Sequence, residues 1–311
     1  MMLLSTNVIN FTPFLSFVNF DERRMKEINL LISFIVAKFG KILEICRYIC
    51  KNISNQKPAE LILPKEKNMP IPQIYNRDVF ILIDRSGSMT ISDSTTGNKN
   101  RWQYLQETVQ GHVFEILSEQ DDDYGIICDE VTLYFFNRNQ QPTKTIYLRD
   151  AAQVQAAFKE NKPGGATYIA PTLNEAVSQW FSNRTDDKGA FIIIYTDGQI
   201  DDSKEFINVI GKTCSNINSQ DEIKILMIGV GSDIETEGAI DFYLGIDLNA
   251  NKFQSRRGED CNIFIFDLID EVMDEGIIAA LERQLEGDPR KGLGGWIKER
   301  YPSLYGKYFA S

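Results

Sequence analysis

Between residues 76 and 286 the chain alternates short apolar runs with longer segments whose apolar positions recur every three or four residues. The run 77–84 (RDVFILID) is nearly continuous in Val, Ile, Leu and Phe, the composition of a strand covered on both faces. Residues 101–119 then place Tyr104, Leu105, Val109, Val113, Phe114 and Leu117 at helical spacing. Two strands over 124–128 and 131–136, joined at Asp129-Glu130, predict a tight hairpin. Helices are expected over 151–158 and 168–180, and 190–196 (AFIIIYT) is the strongest strand signal. A helix over 204–216, a strand over 223–230 and a helix near 237–244 follow. A strand over 263–266 and one continuous helix over 269–286 complete the pattern. Such alternation predicts an α/β fold, a doubly wound, mostly parallel sheet with helices on both faces.

Ahead of this region the pattern changes. The first 20 residues carry no charge, but Ser, Thr, Asn and Pro interrupt them. No basic segment precedes them and no small-x-small cleavage site follows, so a secretory leader is not expected. Over 22–51, Ile28, Ile32, Ile35, Phe39, Ile42, Cys46 and Ile49 repeat with spacings of four and three. That seam predicts a helix that packs or docks, with membrane-surface contact through residues 1–50 as the alternative. Charges every three or four residues after Ala37 argue against a spanning helix. The expected organisation is a helical extension over 1–52, a linker rich in Lys, Pro and Asn over 53–75, the α/β domain over 76–286 and a tail over 287–311.

Charge sharpens that division. Lys and Arg number 33 against 44 Asp and Glu, a net charge of −11. Residues 1–75 carry +4 and residues 76–285 carry −17. An acidic body repels phosphate backbones, so nucleic acid is excluded as a partner. The single histidine, His112, excludes multi-histidine zinc sites and two-histidine acid–base schemes. His112 itself reads as a satisfied side chain at a helix surface. Five scattered cysteines, an odd number, fit unpaired thiols in a reducing compartment, and Cys46 and Cys50 read as a packing pair.

Oxygen chemistry is what remains for a metal, and the strand ends supply it. The first strand runs into DRSGSM, which sets Asp84, Ser86 and Ser88 at alternate positions around Gly87. Gly164-Gly165-Ala166-Thr167 opens a helix, and the strongest strand ends in YTDG at Asp197. Two carboxylates and three hydroxyls suit Mg²⁺ or Mn²⁺ ahead of Ca²⁺. An exchangeable position remains on such an ion for an outside carboxylate.

This combination, in this order, resembles the von Willebrand factor A domain with its metal-ion-dependent adhesion site, whose pattern is Asp-x-Ser-x-Ser, then Thr, then Asp-Gly. The resemblance covers residues 76–286. It implies that Asp84, Ser86, Ser88, Thr167 and Asp197 hold a divalent ion, with Thr167 joining when ligand is bound and Asp197 acting through water. It also implies a binding module rather than an enzyme, whose protein partner supplies a Glu or Asp. An intracellular member of bacterial type is expected, cytoplasmic or peripherally attached to a membrane. The loop after Met89 (TISDSTTGNKN) is long and polar, and departs from the family pattern.

Competing readings come from other classes. Asp84 could serve as the nucleophile of a Mg²⁺-dependent phosphoryl transferase, although Ser86 stands where such chemistry wants a second carboxylate. A membrane-tethered scaffold, or a regulatory subunit of an ATPase, kinase or phosphatase assembly similar to the tellurium-resistance type, are the others. Gly211-Lys212-Thr213 lacks the first glycine of a phosphate loop, and Gly229-Val230-Gly231 reads as a turn after a strand. Asp121-Asp122-Asp123 and Asp201-Asp202 read as solvated loop charge, with a supplementary cation site or repulsion of ill-fitting acidic ligands as alternatives.

Overall fold

A computed structural model of the chain describes residues 73–137, 144–185, 188–198, 200–248, 250–285 and 293–309. All of these lie in the second of its two compact units, Pro70–Ser311. The amphipathic extension, the Cys46/Cys50 pair and nearly all of the linker lie outside the described residues.

Continuous apolar runs become the inner strands because both of their faces are covered. The strands are β1 (Arg77–Asp84), β2 (Gln120–Asp121), β3 (Gly125–Ile126), β4 (Val131–Phe136), β5 (Ile146–Leu148), β6 (Gly189–Thr196), β7 (Ile223–Gly229) and β8 (Phe264–Leu268). Six of them form one sheet in the order β5-β4-β1-β6-β7-β8. All neighbours are parallel except the β4–β5 pair at one edge. The helices are α1 (Arg101–Ser118), α2 (Gln153–Glu160), α3 (Ala170–Asn183), α4 (Ser203–Asn216), α5 (Glu237–Asp247), α6 (Ile269–Glu275), α7 (Ile277–Leu285), α8 (Gly294–Arg300) and α9 (Pro302–Tyr308).

The period-two alternation of β1 sorts its side chains between two cores. Phe80 and Leu82 join a cluster with Leu173 of α3, Phe206 of α4, Tyr243 of α5, Ile297 of α8 and Leu304 of α9. Val79, Ile81 and Ile83 face Leu105 and Val109 of α1, Val154 of α2 and Leu281 of α7 on the other side. Each fully buried aliphatic side chain contributes about 1.5–3 kcal/mol, so these two layers dominate the stability. The expected doubly wound sheet is present. Residues 293–309, within the segment read only as a tail, form α8 and α9 and pack into the first of these cores.

Three local expectations are corrected. Residues 124–128 and 131–136 do not form a hairpin: β3 pairs antiparallel with β2, while β4 pairs parallel with β1. The short acidic turn 121–124 closes on itself instead, Asp121 Oδ1 accepting the amides of Asp123 and Tyr124. The helix expected over 269–286 is two helices, broken at Gly276, whose φ of +87° suits glycine and not a continuing helix. In α1, Phe114 is exposed, and Arg101 and His112 are buried beside the aliphatic stripe. Among the described residues no helix is long and apolar enough to cross a membrane.

Candidate metal site

Connections from β1 lead toward β4 on one side, and connections from β6 lead toward β7 on the other. The carboxyl ends of β1 and β6 therefore border the crevice where strand order reverses, the usual ligand position in such sheets. Parallel pairing of the two strands, with Ile83 opposite Tyr195, brings Asp84 and Asp197 to the same end.

Four of the five expected site residues form one hydrogen-bonded ladder. Asp84 is fully buried; its Oδ1 accepts the Ser86 amide at 2.8 Å and its Oδ2 accepts the Thr196 hydroxyl at 2.7 Å. The Ser86 and Ser88 hydroxyls are 2.9 Å apart, and the Ser88 hydroxyl donates to Asp197 Oδ1 at 2.9 Å. A short 3₁₀ turn over Gly87–Thr90 gives the serine loop its curvature.

Thr167 stands on the adjoining loop. Gly87 N donates to Gly165 O at 3.0 Å and Gly164 N to Arg85 O at 2.7 Å, which fastens the glycine loop to the serine loop. Asn137 Nδ2 also donates to Gly164 O. Gly164 and Gly165 have φ of +155° and +99°, and a Cβ on Gly165 would press on Asn137 at 3.3 Å. The acidic pair after Asp197 holds the other end. Asp201 Oδ2 accepts the Thr167 amide at 2.8 Å, and its own amide donates to Thr167 O at 2.9 Å. Buried Asp202 accepts the amides of Ile169 and Ala170 at 3.1 and 2.8 Å, capping α3 from another element. Solvated loop charge therefore describes exposed Asp201 but not buried Asp202, and both carboxylates hold the Thr167 loop.

Arg101, which nothing in the sequence pattern singled out, reaches into the site. It opens α1 and is only 1% exposed. Its Nη1 donates to Asp197 Oδ2 at 2.9 Å and to Asp233 Oδ2 at 2.8 Å; Nε and Nη2 donate to Asp93 Oδ2 at 2.9 and 2.8 Å. Asp93 lies on the long loop after Met89 and Asp233 on the loop after β7, so one guanidinium joins three loops. Gly231, with a φ of +83°, leaves the room: a Cβ there would overlap Arg101 Nε and Asp93 Oδ2. The turn after β7 thus has a specific steric purpose.

Electrostatics follow from this placement. Burial first, and the Asp197 charge second, push the Asp84 carboxyl up to about 7, against hydrogen bonds from Thr196 and Ser86. Burial also raises Asp197, opposed by Arg101 and Ser88. Partial burial works against ionised Asp93, yet hydrogen bonds from Thr95 and Arg101 hold it down at about 2.

These residues fit a hard divalent cation on the chemistry of the donor set. Two carboxylates and facing hydroxyls, all oxygen, meet at a strand-end crevice. An unpaired buried carboxylate beside a second one is a cost that a divalent cation relieves. No cluster of three or more His, Cys, Asp or Glu suited to a metal occurs among the described residues. Serine and threonine oxygens have to complete this donor set.

His112 corrects another expectation. It is buried, not at the helix surface, and its Nδ1 lies 2.5 Å from the Tyr195 hydroxyl. Gly211-Lys212-Thr213 lies within α4, as its helical pattern suggests.

The family model described as von Willebrand factor type A domain matches residues 78–247. Among curated proteins none matches the chain. Among solved structures, the chain is similar to the manganese-loaded TRAP protein of Plasmodium vivax at 16% identity, covering 68% of this chain and 74% of that one, with a TM-score of 0.43. It is similar to a von Willebrand factor type A protein from Catenulispora acidiphila at 13% identity, over 68% of this chain and 43% of that one, with a TM-score of 0.41. Proximal thread matrix protein 1 from the mussel byssus, with a zinc-occupied adhesion motif, gives 15% identity over 67% and 46%, with a TM-score of 0.39. The chain thus spans less than half the length of the last two.

Proposed function

Because this chain belongs to the von Willebrand factor type A domain family, we propose that it is a metal-dependent protein-binding module whose ion is held by Asp84, Ser86, Ser88, Thr167 and Asp197. The observation that carries this reading is the unbroken ladder Asp84–Ser86–Ser88–Asp197 at the crevice between β1 and β6. When bound, Mg²⁺ or Mn²⁺ supplies a Lewis-acid contact for a Glu or Asp carboxylate of a partner protein.

The chain's own residues do the rest. Thr196 and the Ser86 amide orient Asp84, so its carboxylate needs no reorganisation to meet a cation. Asp201 sets the position of Thr167 relative to the serine loop. Exposed Ile91, beside the ladder on the long loop, offers an apolar contact to the partner. The acidic body repels acidic partners that bring no complementary surface, which favours selectivity over raw affinity.

Phosphoryl transfer by Asp84 is disfavoured by the same geometry. The position two residues on, where that chemistry wants a second carboxylate, is Ser86, whose hydroxyl pairs with Ser88. A cytoplasmic site of action and a regulatory place within a larger assembly accompany the binding reading as its expected context.

The test is the Asp84→Ala variant. Wild type should gain melting temperature on addition of Mn²⁺ or Mg²⁺, and the variant should gain none while its ion-free stability changes little. An equal gain in both proteins would remove Asp84 from the site.

A further inference from the structure

Arg101 occupies an unfavourable place for a cation. It is the first residue of α1, where the positive end of the helix dipole repels a guanidinium, and it is withdrawn from water. Only its carboxylate partners compensate. Two of them, Asp93 and Asp233, already link the loop after β1 to the loop after β7. Asp93 Oδ2 reinforces that link by accepting the Ser232 amide at 3.2 Å. The third partner, Asp197, lies at the end of β6 and belongs to the serine ladder as well. Arg101 meets it on one oxygen, Oδ2, while Ser88 holds Oδ1.

We propose that Arg101 is a positioning residue of the ion site: it keeps Asp197 Oδ2 engaged and supplies a fixed positive charge, so the site holds its ion less tightly and accepts an outside carboxylate more readily. This rests on the metal-binding reading above. The charge argument is direct. With Asp84, Asp93, Asp197 and Asp233 ionised, a divalent ion and the guanidinium together leave one net negative charge around the site; without the guanidinium two remain. An arriving carboxylate is repelled more strongly in the second case, and a metal cation is attracted more strongly. A guanidinium stays protonated throughout the working pH range, so this bias is permanent rather than titrated. Gly231 belongs to the same device, since only a residue without a Cβ leaves room for Nε.

The experiment titrates Mn²⁺ into the full chain and reads water-proton relaxation, which reports both occupancy and the exchangeable water on the ion. Acetate is then added as the carboxylate probe. Arg101→Gln, which keeps hydrogen-bond donors and drops the charge, should bind Mn²⁺ about three- to tenfold tighter and acetate about tenfold more weakly than wild type. Its bound Mn²⁺ should also carry less exchangeable water, because the freed Asp197 takes a position on the ion. A purely structural arginine predicts the opposite sign for the metal, and weaker or unchanged Mn²⁺ binding with unchanged acetate binding would overturn the proposal. Should Arg101→Gln fail to fold cooperatively, Gly231→Ala decides, because its methyl displaces the guanidinium without removing the charge. The same two shifts at smaller size support the proposal, and unshifted affinities overturn it. Wild type that binds no Mn²⁺ overturns the metal reading itself; wild type that binds it with unshifted variants overturns only the role of Arg101.

Discussion

Two arginines with carboxylate partners, buried Arg101 and part-buried Arg283, hold different parts of the molecule. Arg283 Nη2 meets Asp267 Oδ2 of β8 at 2.5 Å and also Glu275 at the end of α6. It staples α7 back onto β8 across the Gly276 break, and neither carboxylate belongs to the serine ladder. Arg101 meets three loops at the carboxyl end of the sheet, and one of its carboxylates is the last rung of that ladder. Pairing with carboxylates alone therefore does not place a charge at the candidate site. What marks Arg101 is a partner with a second obligation, toward hydroxyls that face an open crevice.

The comparison can be broken by removing the stapling arginine. Arg283→Met should cost about 3 kcal/mol or more in urea unfolding, because Asp267 is left buried without its cation. Its Mn²⁺ affinity should match wild type; a changed affinity would mean that the two clusters are not separate.

A second, smaller effect separates charged burial from neutral burial on one helix. Arg101 and His112 both lie on α1, but His112 faces a tyrosine hydroxyl rather than carboxylates. Burial therefore lowers its pKa to about 4 from an ordinary 6.5. The unfolded chain binds this proton first, so the contribution is whole above pH 6.5 and is lost as pH falls toward 4. About 3 kcal/mol of pH-dependent stability is expected across that window. His112→Gln should flatten the slope over that range in pH-resolved urea melts, and an unchanged slope would assign the titration to another group.

The smallest effect concerns the loop that neither arginine touches. Asp202→Ala should cost about 1 kcal/mol, as expected for loss of a helix cap. It should loosen Thr167 through α3 and leave both arginine clusters intact. Faster amide exchange confined to residues 165–171 is the expected reading; protection unchanged there would show that Asp201 alone holds the loop.

Much of the site was legible because its chemistry is local. DRSGSM places Asp84, Ser86 and Ser88 within five residues after a strand, and the structure joins them to Asp197 in one ladder. Arg101 was not legible in the same way. Its partners lie 8, 96 and 132 residues away, and a basic residue at a helix start carries no signal of burial. The reading of Asp202 as solvated charge failed for a related reason, since consecutive acids look alike until a helix N-terminus is packed against one of them. The 124–136 hairpin failed because tight spacing cannot reveal that β4 has a longer and better partner in β1.

By itself, the amino-acid sequence determined the α/β alternation, the class of the sheet and the oxygen-only side chains of the candidate site, because apolar periodicity and side-chain type act over a few residues. Only the tertiary structure decided which charges are buried and what they face. That outcome depends on which strand ends become neighbours, and parallel pairing of β6 with β1 on one side and β7 on the other brings together carboxylates and a guanidinium from segments far apart in the chain.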